Sequence, residues 1–268
     1  MKLAGLLIAA PWALVVAEVS RAQAEPVPSV EEWTIERVER EVPIGGSLPI
    51  EIENPLGDLR IRVGDDDRVV VIAAVQRHRD DPERERLILE AGPERVRVGA
   101  EFAPVEATRS PAWSRRRIDL AVAVPRSARV VARTVDGLVE VKGHAGELDI
   151  ETAAGEIRLW IAGSPRVRTG SGEIAAYLTA PGWSRVATFE SSTGDILVSF
   201  PPQAAADVVL ESRGAFATHF SVEVEKLGPE RRRGRARLGA GGPEVRLTSR
   251  TGELRILEHL GPGSPPAR

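Results

Sequence analysis

The chain has 268 residues, 42% of them hydrophobic and 28% charged, which is apolar enough to bury a core and rules out a disordered polyelectrolyte. Its 36 Lys and Arg against 39 Asp and Glu leave a net charge of −3, which removes any overall electrostatic case for a nucleic-acid partner. The absence of cysteine excludes disulfides, Cys-zinc sites, thiol nucleophiles, iron-sulfur clusters and lipidation of a lipobox cysteine.

Lys2 is followed by an apolar run from Leu3 to Ala17, and Ala22-Gln23-Ala24 then supplies the small-x-small pattern of a signal peptide cleaved before Glu25. About 15 apolar residues at about 1.5 Å per residue fall short of a bilayer core of about 30 Å, so a cleaved signal over residues 1–24 is expected rather than an anchor. Its loss removes Lys2, Arg21 and Glu18 and takes the net charge from −3 to −4. An exported protein, periplasmic or at the cell surface, follows.

Residues 25–124 read as a strand-rich region. Trp33 to Val42, Leu48 to Glu53, Leu59 to Val63, Val69 to Val75, Arg95 to Phe102 and Ile118 to Val124 carry strand patterns, and Asn54-Pro55-Leu56-Gly57 is a strong turn. Asp81-Pro82, with acids following, marks a helix N-terminus and predicts one short helix over Glu83–Leu89. Ala103 to Arg116 reads as an exposed loop.

From 125 to 258 a repeat takes over: a glycine, usually an acid, then apolar residues two and four positions on. Gly137, Gly146, Gly155, Gly172, Gly194 and Gly252 open such copies, and Gly57 opens an earlier one. Three positions before most of these glycines stands Asn54, Thr134, Thr152, Thr169, Ser191 or Ser249, whose side chain can bond turn amides. Gly214 continues the series 137, 155, 172, 194 with Glu211 in the polar slot. A unit of roughly twenty residues holds two short strands and two turns, the size of one coil of a β-solenoid. Alternation turns Ile157, Leu159 and Ile161, then Ile174, Ala176 and Leu178, then Ile196, Val198 and Phe200 inward. The fold class expected is all-β, a solenoid-like stack of short strands with at most one short helix. Residues 259–268 read as a disordered tail.

Arg133-Thr134-Val135-Asp136-Gly137, Glu151-Thr152-Ala153-Ala154-Gly155 and Arg168-Thr169-Gly170-Ser171-Gly172, with Val124-Pro125-Arg126 opening the array, resemble the bacterial putative adhesin family over roughly residues 30 to 257. That resemblance implies a β-solenoid-like exported envelope protein, and it brings no catalytic residues. The chain departs from the pattern at Arg213-Gly214-Ala215-Phe216, where the acid is missing.

The candidate chemistries are few. Asp58, Glu156, Glu173, Asp195 and Glu253 share one slot beside the glycine, with Arg60, Arg158 and Arg255 two residues on; acids that follow the repeat read as an outer ion-pair ladder, whereas a polysaccharide lyase or glycosidase needs a local irregularity. Asp65-Asp66-Asp67 fits neither an EF-hand nor a calcium-binding β-roll, His78, His144, His219 and His259 lack paired spacing, and no Gly-x-Ser-x-Gly elbow occurs. No metal or cofactor is expected. Two arginine clusters remain: Arg115-Arg116-Arg117, and Arg231-Arg232-Arg233 with Arg235 and Arg237, the second inside the stretch Leu227–Gly242 that interrupts the repeat. Guanidinium forks suit phosphate and carboxylate, so Arg231, Arg232, Arg233, Arg235 and Arg237 are the candidate polyanion site. The expected role is a non-enzymatic adhesin-like binding or structural module with an envelope polysaccharide or envelope protein as partner; the alternatives are a carbohydrate-active enzyme and a periplasmic sensor acting through an envelope protein. Open strand edges on a terminal coil also permit self-association.

Overall fold

A computed structural model describes residues 33–44, 48–78, 85–102 and 116–259, and among them every regular element is a strand. In chain order these are β1 (Trp33–Pro43), β2 (Ile50–Leu56), β3 (Leu59–Val63), β4 (Arg68–His78), β5 (Glu85–Ala91), β6 (Val96–Phe102), β7 (Arg117–Val124), β8 (Val130–Asp136), β9 (Val139–Lys142), β10 (Leu148–Ala154) and β11 (Ile157–Ile161). They continue as β12 (Pro165–Ser171), β13 (Ile174–Leu178), β14 (Ala187–Ser191), β15 (Ile196–Phe200), β16 (Ala206–Ser212), β17 (Phe216–Thr218), β18 (Glu223–Lys226), β19 (Arg232–Leu238), β20 (Glu244–Ser249) and β21 (Leu254–Glu258). The predicted cleavage-site residues Ala22, Ala24 and Glu25, and residues 260–268 of the predicted tail, lie outside the described residues.

The helix predicted over Glu83–Leu89 is not there: β5 runs through Glu85–Ala91 and pairs antiparallel with β6. Leu87 and Ile88 are buried against that pairing, so a tertiary partner overrides the local N-cap signal.

The strands form two sheets, one of ten strands (β1-β4-β7-β3-β9-β11-β13-β15-β21-β17) and one of eleven (β18-β19-β16-β20-β14-β12-β10-β8-β2-β6-β5). One strand from each sheet makes a rung, and in β2–β3, β8–β9, β10–β11, β12–β13, β14–β15, β16–β17 and β20–β21 the two strands are joined at a glycine corner. Rungs follow one another in space as β6–β7, β2–β3, β8–β9, β10–β11, β12–β13, β14–β15, β20–β21 and β16–β17, all parallel and in register. The order differs from the chain at both ends: the β2–β3 rung lies between β6–β7 and β8–β9, and Gly214 does not follow Gly194 because the β20–β21 rung lies between them. Antiparallel strands finish the stack, β4 and β1 beyond β7, β5 beyond β6, and the β19 and β18 hairpin beyond β16.

In-register stacking turns the period-two alternation into continuous core rows. Ile61, Val141, Leu159, Ala176, Val198 and Ile256 form one, and Ile52, Ala132, Ile150, Val167, Phe189, Leu247 and Leu210 form another facing inward from the second sheet, all essentially inaccessible to solvent. Each large side chain so buried contributes about 1.5–3 kcal/mol. At the end of the stack Phe216, Phe220 and Val222 pack against this core.

The corner explains the repeat. Gly155 has φ 139, outside the range a side chain tolerates, and a Cβ there would stand 2.1 Å from the Gly137 carbonyl oxygen. Inside the corner the polar slot is buried and used. Asn54 donates to the carbonyls of Gly57 (3.2 Å) and Ile118 (2.9 Å), Thr152 to Ala154 (3.0 Å), and Thr169 to Ser171 (3.2 Å). Ser191 and Ser249 each accept from the glycine three residues on, at 2.9 Å, and donate to the glycine carbonyl of the neighbouring rung. At Gly214 the slot is filled by Ser212, which donates to Gly252 at 2.7 Å. Glu211, the residue expected there, faces out of the sheet, because the turn before Gly214 is one residue shorter than its neighbours.

On the outward face of the eleven-stranded sheet two rows of side chains cross the strands. One reads Arg97, Glu51, Val131, Asp149, Arg166, Thr188, Arg246, Val209, Arg235, Glu223; the other reads Gly99, Glu53, Arg133, Glu151, Arg168, Glu190, Thr248, Glu211, Arg233, Glu225. In the second row the charges alternate in sign almost throughout, so in-register stacking sets each acid beside arginine and never beside an acid, except across Thr248.

Candidate polyanion-binding groove

The rung order that breaks the chain sequence also breaks the smoothness of the corner. Just before the corner glycines the outward positions are Ala153, Gly170 and Ser192 in the middle of the stack, then Arg250 and Arg213 on the last two rungs. Small residues beside long ones leave a concavity of about 500 Å³ lined by Arg168, Arg213, Arg231 and Arg250, with the hydroxyls of Ser192, Ser212, Thr248 and Ser249 and the carboxylate of Glu190. Arg213 is also the wall of a second concavity of about 500 Å³, which Lys226, Glu230, Arg232 and Thr251 line.

The five arginines singled out from the sequence divide. Arg231 and Arg232 reach these concavities. Arg233, Arg235 and Arg237 alternate with buried Gly234, Ala236 and Leu238 along β19 and stand on the flat outer face of the sheet instead. Arg233 and Arg231 share Glu211, and Arg237 bonds Asp207 at 3.0 Å. Burial pushes the Glu211 carboxyl up, but its bonds from Arg233 and Arg231 outweigh that and leave it below the ordinary glutamate range. The first cluster does not form a site: Arg115 lies outside the described residues, Arg116 is buried, and Arg117 bonds Asp119 at 2.6 Å and Asp58 at 3.1 Å.

Arg213 and Arg250 were not singled out from the sequence. Their signal was the missing acid at Arg213-Gly214-Ala215, which reads as a damaged repeat until the neighbouring rung is known. Arg213 is held by Glu230 alone, at 3.6 Å between exposed groups, Arg232 donates only to the carbonyls of Arg213 and Gly214, and Arg250 has no ion-pair partner among the described residues. Across the two concavities, then, Arg250 has no partner among the described residues, Arg232 has no carboxylate partner, and Arg213 has one long, exposed pair.

Several of the acids elsewhere are paired. Asp58 with Arg60 (3.3 Å), Glu156 with Arg158, and Glu253 with Arg255 (2.7 Å) form the ion-pair ladder on the opposite sheet. Asp65 and Asp67 flank Arg68 at 3.3 and 3.1 Å. Among the described residues no three His, Asp or Glu side chains lie close enough together to hold a metal ion, and no helix is long and apolar enough to cross a membrane.

No family model matches the chain, and no curated protein is similar to it. Solved structures are. A putative cell adhesion protein from Clostridium sporogenes is 11% identical, with a TM-score of 0.45 over 84% of this chain and 100% of that one. A putative adhesin from Bacteroides fragilis is 7% identical, TM-score 0.28, over 84% and 97%, and a putative lipid binding protein from Parabacteroides distasonis is 10% identical, TM-score 0.27, over 83% and 96%. The function proposed next rests on the groove alone.

Proposed function

We propose that this chain is an exported, non-catalytic binding module of the bacterial envelope, a solenoid-like stack whose C-terminal corner grips a polyanion such as an acidic polysaccharide. Residues 25–258 act as one unit in this reading, with 1–24 removed as a signal. The observation that carries it is the set of guanidinium groups in two adjoining open concavities: Arg250 and Arg232 without a carboxylate partner among the described residues, and Arg213 with only an exposed pair to Glu230 at 3.6 Å. Arginine forks pair with carboxylate or phosphate in two parallel bonds, and Ser192 and Thr248 add hydroxyls beside them, those of Ser212 and Ser249 being already used inside the corner. Two concavities sharing Arg213 suit an extended chain carrying several charges better than a single small anion. The groove's own acids, Glu190 and Glu230, are tied to Arg168 and Arg213, which favours holding over bond cleavage.

The test is calorimetric titration of residues 25–268 with oligogalacturonate and with inorganic polyphosphate, in rising salt. Binding that weakens with salt and falls about tenfold or more on Arg213→Ala/Arg232→Ala/Arg250→Ala, corresponding to about 1.4 kcal/mol or more, supports the groove. Binding to neither probe at low salt, or equal binding by the triple variant and by Arg97→Ala at the far end of the sheet, defeats it.

A further inference from the structure

We propose that the outward face of the eleven-stranded sheet is a self-complementary surface that docks a second copy of this chain face to face. The inference does not depend on the polyanion reading, since the groove arginines lie at the corner. It follows from the two rows already described. A two-fold axis running parallel to the strands, between β12 and β14, keeps each row over the same row of the second copy and reverses the strand order. Asp149 then meets Arg246 of the second copy, Glu51 meets Arg235, Glu53 meets Arg233, and Arg133 meets Glu211. Followed to the ends of both rows, the register opposes Arg97 to Glu223 and Arg168 to Glu190, sets Val131 against Val209, and brings no two like charges together. A shift of half a strand spacing, placing the axis on a strand, opposes acid to acid and arginine to arginine.

Several of these side chains have no ion pair within their own chain: Glu53, Arg133, Asp149 and Arg235 among the described residues. The area is also adequate. Ten strands spaced at about 4.8 Å, each showing about five residues at about 3.3 Å, cover roughly 800 Å², which is about what one partner contributes to an interface of standard size. Charge complementarity of this kind sets register and association rate more than affinity, so the dimer is salt-sensitive.

An isologous contact has a distinctive test. Glu51 of one copy meets Arg235 of the other twice, once on each side of the axis. Arg235→Glu and Glu51→Arg each place like charges at both contacts; mixed together, they restore opposite charges at both. Analytical ultracentrifugation of residues 25–268 is expected to show a dimer in low salt, about tenfold weaker self-association of either variant alone, and recovery in the equimolar mixture, with unchanged urea melts showing that each variant folds. A wild type that stays monomeric at about 0.1 mM in about 20 mM salt, where surface charges are least screened, overturns the proposal. So does a dimer that both single variants retain, or a mixture that does not recover.

Discussion

From Val130 to Phe200 each new rung is laid on the one before it; after Phe200 the chain skips a place, builds β16–β17, turns back through the β18–β19 hairpin and fills the gap last with β20–β21. The two regions use the same rung, with the same inward alternation, the same corner glycine and the same buried hydroxyl. What differs is the corner exterior. The consecutive rungs carry Ala153, Gly170 and Ser192 there and make a smooth edge. The skipped and refilled rungs carry Arg213 and Arg250 and make a groove. A regular stack leaves a smooth edge, and departure from regularity leaves a concavity.

Breaking the shared corner should have the largest effect in either region. Gly155→Val puts a Cβ at φ 139 and 2.1 Å from a neighbouring carbonyl oxygen, which combines strain with overpacking, so a loss of about 4 kcal/mol or more is expected in a urea melt. Gly182→Ala meets no atom within 4 Å and is expected to change stability by less than about 0.5 kcal/mol. Removing the fully buried Phe189 ring in Phe189→Ala is expected to cost about 3–5 kcal/mol by the same measurement.

The slot residues sharpen the comparison. Ser191→Ala in the regular part and Ser249→Ala in the refilled rung each leave a glycine N–H without its acceptor, and each is expected to cost about 1–3 kcal/mol. Equal losses would show that the late rung is as tightly held as the early ones. Unequal losses would mark the refilled rung as the looser one.

A pH effect belongs to the middle of the stack. His144 is 1% exposed with neither ring nitrogen hydrogen-bonded. Burial lowers its pKa, the nearby backbone of Glu147 and Ala128 acts in the opposite direction, and the Arg126 charge adds to the lowering. The unfolded chain therefore takes up this proton first as pH falls. Stability is complete above the ordinary histidine value of about 6.5 and declines below it by up to about 1.4 kcal/mol per pH unit. Glu140 and Glu211 are held below the ordinary glutamate range and act only at lower pH. His144→Leu should flatten the stability profile between about pH 6.5 and 5, where wild-type stability falls. The smallest effect expected is Arg158→Ala, which removes an exposed ion pair with Glu156 and should cost under about 0.5 kcal/mol.

Much of the regular region was legible because its information is local. Ile157, Leu159 and Ile161, with the next two triplets, are inward as their alternation demands, and of the hydroxyls three residues before the glycines those of Thr152, Thr169, Ser191 and Ser249 bond the turns, whereas the buried Thr134 hydroxyl does not. The rest was hidden by distance. Nothing near Gly194 announces that its neighbour is Gly252, about sixty residues on, so the groove built from Ser192, Arg250 and Arg213 could not be assembled from spacing. The β5 error has the same origin, since Leu87 and Ile88 take their conformation from β6. The arginine cluster was found as a run, but β19 begins only at Arg232: Arg233, Arg235 and Arg237 alternate onto the outer face along it, whereas Arg231 before the strand and Arg232 at its first residue reach the concavities.

The refilled rung also orders events in time. β16 and β17 precede their parallel neighbours β20 and β21 in the chain, so their pairing is completed only when the last rung is in place. Arg250 arrives only with the last rung. A polypeptide cut short before Ser249 lacks β21 and Arg250, and with them one wall of the concavity.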